Sequence, residues 1–309
     1  MSIFINLFLL LILFAGLGWM ANLAVNNIKY IGAVLKIRLF AFGILLGLFT
    51  TLPELSVGIN ATVENAAAIS VGNVLGGAIV MLGLILGVSL LLNREIATSG
   101  RLATLIPSIL VIFSPVFLGL NGKYSLLDGL VMICLYVGLV FYLYRLNQFG
   151  ESIQSDKSEG NLVFKAIIFS VFGIIGVLVA SHWIVEVTQN LLDYVNISQF
   201  VVGLAVFSIG TNLPEISIAL TSWRKKSSEL SLSHLVSSAF TNVLILGILA
   251  FIRPINFSAD VTYWITAIIL GILLTLFAFF YYSDKKLDRR EGIILLIIYA
   301  LFVAATLIF

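Results

Sequence analysis

The chain has 309 residues, 61% of them hydrophobic and 10% charged, with a mean hydropathy of +1.14 and a formal net charge of +2. A soluble domain is nearer half apolar and a quarter charged, so this is the composition of an integral membrane protein. One cysteine, Cys134, excludes an internal disulfide, two histidines argue against a His/Cys zinc site, and no basic cluster is large enough to suggest a nucleic-acid partner.

Ten apolar runs are long enough to cross a bilayer as helices. They lie near residues 3–25, 37–62, 67–93, 102–120, 124–146, 163–189, 198–222, 230–252, 259–282 and 289–309. The first lacks the basic leader of a signal peptide and is too long for one, so it reads as a span. The fourth holds Pro107 and Pro115 and is expected to kink. Between the fifth and sixth lies a polar stretch rich in Ser, Gly and charge, a flexible linker over 147–162. It divides the chain into residues 1–146 and 163–309, five spans each.

The basic residues orient the spans. Lys29, Lys36, Arg38, Arg94, Arg101, Arg145, Lys157, Lys165, Arg224, Lys225, Lys226, Lys285, Lys286, Arg289 and Arg290 all fall on one side of a ten-span chain. Lys123 and Arg253 alone fall on the other. Both termini are then extracellular and the 147–162 linker cytoplasmic, as expected of a multi-pass plasma-membrane protein.

The halves resemble each other. "TTLPELSVG" from Thr50 matches "TNLPEISIA" from Thr211 at an offset of 161, which also lays "GNVLGGAIVML" from Gly72 over "SHLVSSAFTNV" from Ser233. "LILG" recurs at Leu84 and Leu244, one residue off that register. Five spans is an odd number, so the second half enters the membrane from the opposite side. Such inverted repeats are typical of secondary transporters, whose substrate site lies at the repeat interface near the midplane. The expected fold is all-α: ten transmembrane helices in two inverted five-helix repeats.

Glu54 and Glu215 are the two acids deep within apolar runs, and no lysine or arginine lies at their depth. An ionised carboxylate there costs about 3 kcal/mol or more and calls for a proton or a metal cation. Pro53 and Pro214 lack the N–H that would bond the carbonyls of Phe49 and Gly210. The same distortion is expected to loosen the carbonyls of Gly47, Thr50, Ser208 and Thr211. Thr50 and Glu54 are four residues apart, as are Thr211 and Glu215, so each pair shares a helix face. Carboxylates, carbonyls and hydroxyls are hard donors that suit Ca²⁺, Mg²⁺, Mn²⁺ or Na⁺. Ca²⁺, with about 6–8 oxygens in flexible geometry, fits better than Mg²⁺.

The paired "TTLPE" and "GTNLPE" segments resemble the alpha-repeats of the calcium/cation antiporter superfamily, and the chain is similar throughout to its compact prokaryotic sodium/calcium exchangers. The resemblance implies that Glu54 and Glu215 bind Ca²⁺ in competition with Na⁺ or H⁺. It implies that Thr50 and Thr211 line the site, followed by Thr51 and Asn212, and that Ser238 and Asn242 supply a hydroxyl and an amide. The chain departs from the family pattern at Gly77 and Met81, which match Ser238 and Asn242 but offer no hard oxygen, and at Phe49, which stands where Gly210 stands in the second half.

The resulting expectation is Ca²⁺/Na⁺ antiport by alternating access, with inorganic cations and the lipid bilayer as partners and no cofactor or obligate protein partner. H⁺-coupled exchange of Ca²⁺ or another divalent cation, a transport-impaired cation-binding homologue, and a passive channel stay open. An intramembrane enzyme is disfavoured by the lack of H-E-x-x-H, G-x-S-x-G or Asp-rich metal motifs.

Overall fold

The computed structural model describes residues 3–34, 47–98, 101–146, 160–192, 197–224, 228–283 and 286–308. Within them the first half comprises α1 (Ile3–Val34), a helical turn at 47–50, α2 (Leu52–Val63), α3 (Ala68–Ile79), a π-helical turn at Val80–Ile85, α4 (Leu86–Asn93), α5 (Leu102–Leu118) and α6 (Leu126–Arg145). The second comprises α7 (Gly160–Leu192), α8 (Gln199–Val202), a π-helical turn at Gly203–Phe207, α9 (Ser208–Gly210), α10 (Leu213–Arg224), α11 (Ser228–Ile252), α12 (Val261–Ser283) and α13 (Arg289–Ile308). Lys36, Arg38, the first ten residues of the expected 37–62 span and most of the expected linker lie outside the described residues. α7 begins at Gly160, inside the stretch expected to be linker.

Seven helices among the described residues are long and apolar enough to cross a membrane: Phe4–Gly32, Ala68–Asn93, Leu126–Arg145, Leu162–Leu192, Gln199–Ser217, Leu232–Ile252 and Val261–Ser283. α5 is a shorter apolar helix that carries Pro107 and Pro115 within it. This count is smaller than the ten runs read from the sequence.

Two short strand pairs tie connectors together. β1 (Glu95–Ala97) pairs antiparallel with β4 (Lys286–Asp288), and β2 (Lys123–Tyr124) with β3 (Ile255–Asn256). β1 and β2 flank α5, whose 17 residues span about 26 Å at the α-helical rise. The two pairs therefore sit at opposite ends of the molecule. Arg94, Lys286 and Arg289 gather at the first end, where Lys286 meets Glu95 at 3.2 Å and Arg289 donates to the Leu91 carbonyl. Lys123 and Arg253 belong to the other end. There Arg253 donates to the Thr62 carbonyl and Asn65 Oδ1, capping α2.

Close packing at the centre depends on missing side chains. A Cβ on Gly72 of α3 would collide with the Phe200 carbonyl and lie 2.8 Å from the Leu204 nitrogen. Gly203, on the facing segment, would meet the Asn73 nitrogen at 3.0 Å. Backbones meet here with nothing between them, as small residues allow in membranes. α1 and α7 pack along one another in the same way, with Gly173 against the Met20 carbonyl and Ala24.

The one-residue slip of "LILG" has a structural cause. Met81 matches Asn242 at an offset of 161, but Leu84 matches Leu244 at 160, so the first half carries one extra residue between them. The π-helical turn Val80–Ile85 lies there, whereas the equivalent stretch of α11 is α-helical throughout. An i→i+5 turn accommodates the extra residue without breaking the helix.

Candidate cation site

Each half interrupts a helix at the same place. In the first, the helical turn at 47–50 gives way at Thr51, whose φ of −91° and ψ of 10° leave the helical well, and α2 starts at Leu52. In the second, α9 ends at Gly210 and α10 starts at Leu213. Pro53 and Pro214 thus stand in the first turn of a new helix, where a missing N–H costs nothing. Glu54 and Glu215 follow in that first turn. The free N–H groups and the positive end of the helix dipole favour a negative carboxylate there.

Both carboxylates are buried, Glu54 1% and Glu215 0% exposed, and none of their four oxygens has a hydrogen-bond partner. They are the buried acids among the described residues, and no described lysine, arginine or histidine is buried with them. Glu54 lies within electrostatic reach of Glu215 and beside Thr211. Glu215 lies beside Thr50 and Ser238. Each acid therefore has a threonine of the opposite half as neighbour. Four orphaned, buried carboxylate oxygens are costly unless a cation or proton joins them.

Thr50, Thr51, Ser208, Thr211, Asn212, Ser238 and Asn242 are fully buried, and Gly47 is buried with them. All ten residues expected to form the site fall on the two interrupted segments and α11. The Thr50 and Thr51 hydroxyls donate to the Gly47 carbonyl at 3.1 and 3.0 Å. That spends each hydroxyl's hydrogen and leaves its lone pairs for a cation. Thr50 also meets Ser238 at 3.4 Å. The Ser208 hydroxyl donates to the Leu204 carbonyl.

The expected loosening of the Gly47 and Ser208 carbonyls differs from what is seen. The Gly47 carbonyl accepts the Thr51 N–H at 3.2 Å as well as both hydroxyls. The Ser208 carbonyl accepts the Asn212 amide at 2.8 Å. The interruption covers so few residues that neighbouring side chains take up these carbonyls.

Asn73 is a residue the sequence reading left out. Its Oδ1 accepts from the Thr211 hydroxyl at 3.0 Å, and it is 1% exposed. The signal was present, because Asn73 follows Gly72 in the segment that repeats at Ser233. Gly77 is explained by what occupies its space: a Cβ there would lie 3.2 Å from Asn212 Nδ2 and 3.3 Å from Asn242 Nδ2. Asn212 Oδ1 and both polar atoms of Asn242 have no hydrogen-bond partner. Gly210 likewise leaves room for the Phe14 ring of α1, which stands edge-on to Phe207 at 5.4 Å. Phe49, at the matching position, is half-buried.

A family sequence model described as sodium/calcium exchanger protein matches residues 5–145 and 165–308. An uncharacterized membrane protein of Methanocaldococcus jannaschii is 26% identical over 259 residues, covering 83% of this chain and 82% of that protein. The sodium/calcium exchanger MaX1 of Methanosarcina acetivorans is 24% identical, covering 94% and 96%. Among solved structures, the sodium-calcium exchanger NCX_Mj superposes with a TM-score of 0.69 at 21% identity, covering 98% of this chain and 99% of that one. The H⁺/Ca²⁺ exchanger CAX superposes at 0.75 with 16% identity, covering 98% and 86%. The fold is that of the helical membrane exchangers, and the chain belongs to the sodium/calcium exchanger protein family.

Proposed function

We propose that this protein is a secondary active antiporter exchanging Ca²⁺ for Na⁺ through one paired-glutamate site exposed alternately to the two sides of the membrane. The carrying observation is the set of four unpartnered, buried carboxylate oxygens of Glu54 and Glu215, one acid from each half. Two carboxylates balance one divalent charge. The surrounding Thr50, Thr51, Thr211, Ser238, Asn212 and Asn242 are hard-oxygen side chains that suit Ca²⁺. Family membership and the likeness to MaX1 support cation exchange as the activity.

The full architecture belongs to the same proposal: ten transmembrane helices in two inverted repeats, residues 1–146 and 163–309, joined by a cytoplasmic 147–162 linker, with both termini extracellular in the plasma membrane. The strand pairs support it. β1–β4 joins the connector after the third span to that before the tenth, and β3–β2 joins the connector after the eighth to that before the fifth, so an inverted repeat carries one strand pair onto the other. The two separate family matches divide the chain at the same place.

H⁺-coupled exchange of Ca²⁺ is the second reading. Gly77 and Met81 favour it, since they leave the first half with fewer oxygens to hold sodium. Proteoliposomes given a Na⁺ gradient and then a pH gradient separate the two. Ca²⁺ uptake driven by Na⁺ alone supports the first, and uptake driven by pH alone replaces it with the second. Uptake under neither leaves a cation-binding homologue without transport.

A further inference from the structure

α1 contributes no oxygen to the cation site, yet it packs on the broken segment that does. Leu10, Phe14, Leu17 and Ala21 recur at helical spacing and are buried. Leu11, Ile12 and Trp19 of the same helix are exposed. The buried face meets the second interruption at both of its ends. At one end the Phe14 ring fills the space of a Gly210 side chain. A Cβ on Gly210 would lie 2.7 Å from the ring's Cγ and strike Cδ1 and Cε1. At the other end, one turn further along α1, a Cβ on Gly18 would lie 2.9 Å from Leu213 Cβ.

Thr211 and Asn212 lie between those two contacts, where α9 has ended and α10 has not begun. Phe14 also stands edge-on to Phe207, with ring centroids 5.4 Å apart. The Phe207 carbonyl accepts the Thr211 N–H at 2.9 Å and lies 3.0 Å from the Thr211 hydroxyl. Thr211 in turn lies beside Glu54. A helix end lacks part of its backbone ladder, so what packs against the two ends decides where the residues between them sit. The first half has no such socket, because Phe49, which matches Gly210, carries a ring of its own.

Resting on the cation-site reading above, we infer that α1 clamps the second interruption, with Phe14 as a positioning residue for Thr211 and Asn212. Phe14 acts through Gly210 and Phe207 and touches no cation. Its ring wedges into the Gly210 socket while Gly18 closes on Leu213, and the two site residues between are held from both ends. The ring and a Gly210 side chain would compete for one space. Substitutions at the two positions are therefore coupled, since neighbours that share a space do not act additively. A methyl at Gly210 must displace the ring or the segment, and it does no such harm once the ring is gone.

The test is calorimetric titration of the purified full chain with Ca²⁺, each variant being shown folded by its melting curve. Gly210→Ala is expected to weaken Ca²⁺ binding at least about tenfold in the wild-type background and less than about threefold in the Phe14→Ala background. Phe14→Ala alone is expected to weaken it about fivefold, with Phe14→Leu nearer the wild type. Gly16→Ala is the control on the same helix, since nothing lies within 4 Å of its missing Cβ. A Gly210→Ala loss of equal size in both backgrounds would overturn the clamp. So would wild-type affinity in folded Phe14→Ala with only its melting temperature lowered, the result of mere packing. Should Gly210→Ala not fold, the comparison of Phe14→Ala with Phe14→Leu decides alone, and equal affinities overturn the clamp. Absence of Ca²⁺ binding by the wild-type chain would instead overturn the cation-site reading, and the clamp with it.

Discussion

The Thr211 hydroxyl donates to Asn73 Oδ1 at 3.0 Å, across the boundary between the two halves. Thr50, which matches Thr211, meets a different partner, the Ser238 hydroxyl, at a longer 3.4 Å. The halves are related but hold the site unequally. Thr211 leans on an amide because the position matching Ser238 is Gly77.

Thr211→Val removes the only hydroxyl hydrogen given to Asn73 among the described contacts and strands a buried amide oxygen. A cost of about 1–3 kcal/mol is expected for such a loss. Thr50→Val is expected to cost less, because the Gly47 carbonyl keeps two other donors. Thermal unfolding in detergent checks the order. A Thr50→Val protein less stable than Thr211→Val contradicts it.

Gly72 and Gly203 hold backbones together at the crossing of α3 with the 199–210 segment. Gly72→Val and Gly203→Val each push a methyl pair into main-chain atoms that have nowhere to go. Overpacking of this kind costs about 1–3 kcal/mol, and more where backbone is struck. Gly138, with nothing within 4 Å of its missing Cβ, is the control. Gly138→Ala is expected to leave the melting temperature unchanged, and equal losses in all three variants would refute the packing explanation.

Pro53→Ala and Pro214→Ala restore an N–H opposite the Phe49 and Gly210 carbonyls. The helix can then run through the interruption, and Glu54 or Glu215 leaves the first turn of its own helix. The protein is expected to stay folded while losing at least about tenfold in Ca²⁺ uptake, a loss confined to function. Unchanged uptake in both variants would show that the interruption does not position the acids.

The Pro-Glu pairs were legible in the sequence because a charge and a helix breaker in an apolar run have few explanations. Asn73 was harder to read. A neutral amide among glycines looks like packing until the Thr211 hydroxyl is seen to reach it. The π-helical turn at Val80–Ile85 showed in the sequence only as a one-residue slip between "LILG" copies. Hydrogen-bond register leaves no side-chain signature of its own. The saturation of the Gly47 carbonyl was invisible for a related reason: whether a freed carbonyl is taken up depends on rotamers of Thr50 and Thr51, not on their spacing.

Lys286 and Glu95 form an ion pair at 3.2 Å with side chains 52% and 67% exposed. Water screens it, so Lys286→Ala is expected to change stability by less than about 1 kcal/mol. A larger loss in a thermal melt would mean that the β1–β4 pair depends on this contact rather than on its backbone bonds.

Calcium binding to the two glutamates is the claim on which the rest depends, and isothermal titration of the detergent-solubilised protein with Ca²⁺ tests it most directly. The wild-type chain is expected to bind one Ca²⁺. Glu54→Gln and Glu215→Gln, each folded by its melting curve, are expected to lose at least about a hundredfold in affinity, as removal of one partner from a buried charge pair costs about 3–5 kcal/mol. Wild-type affinity in either folded variant would contradict a paired-glutamate site.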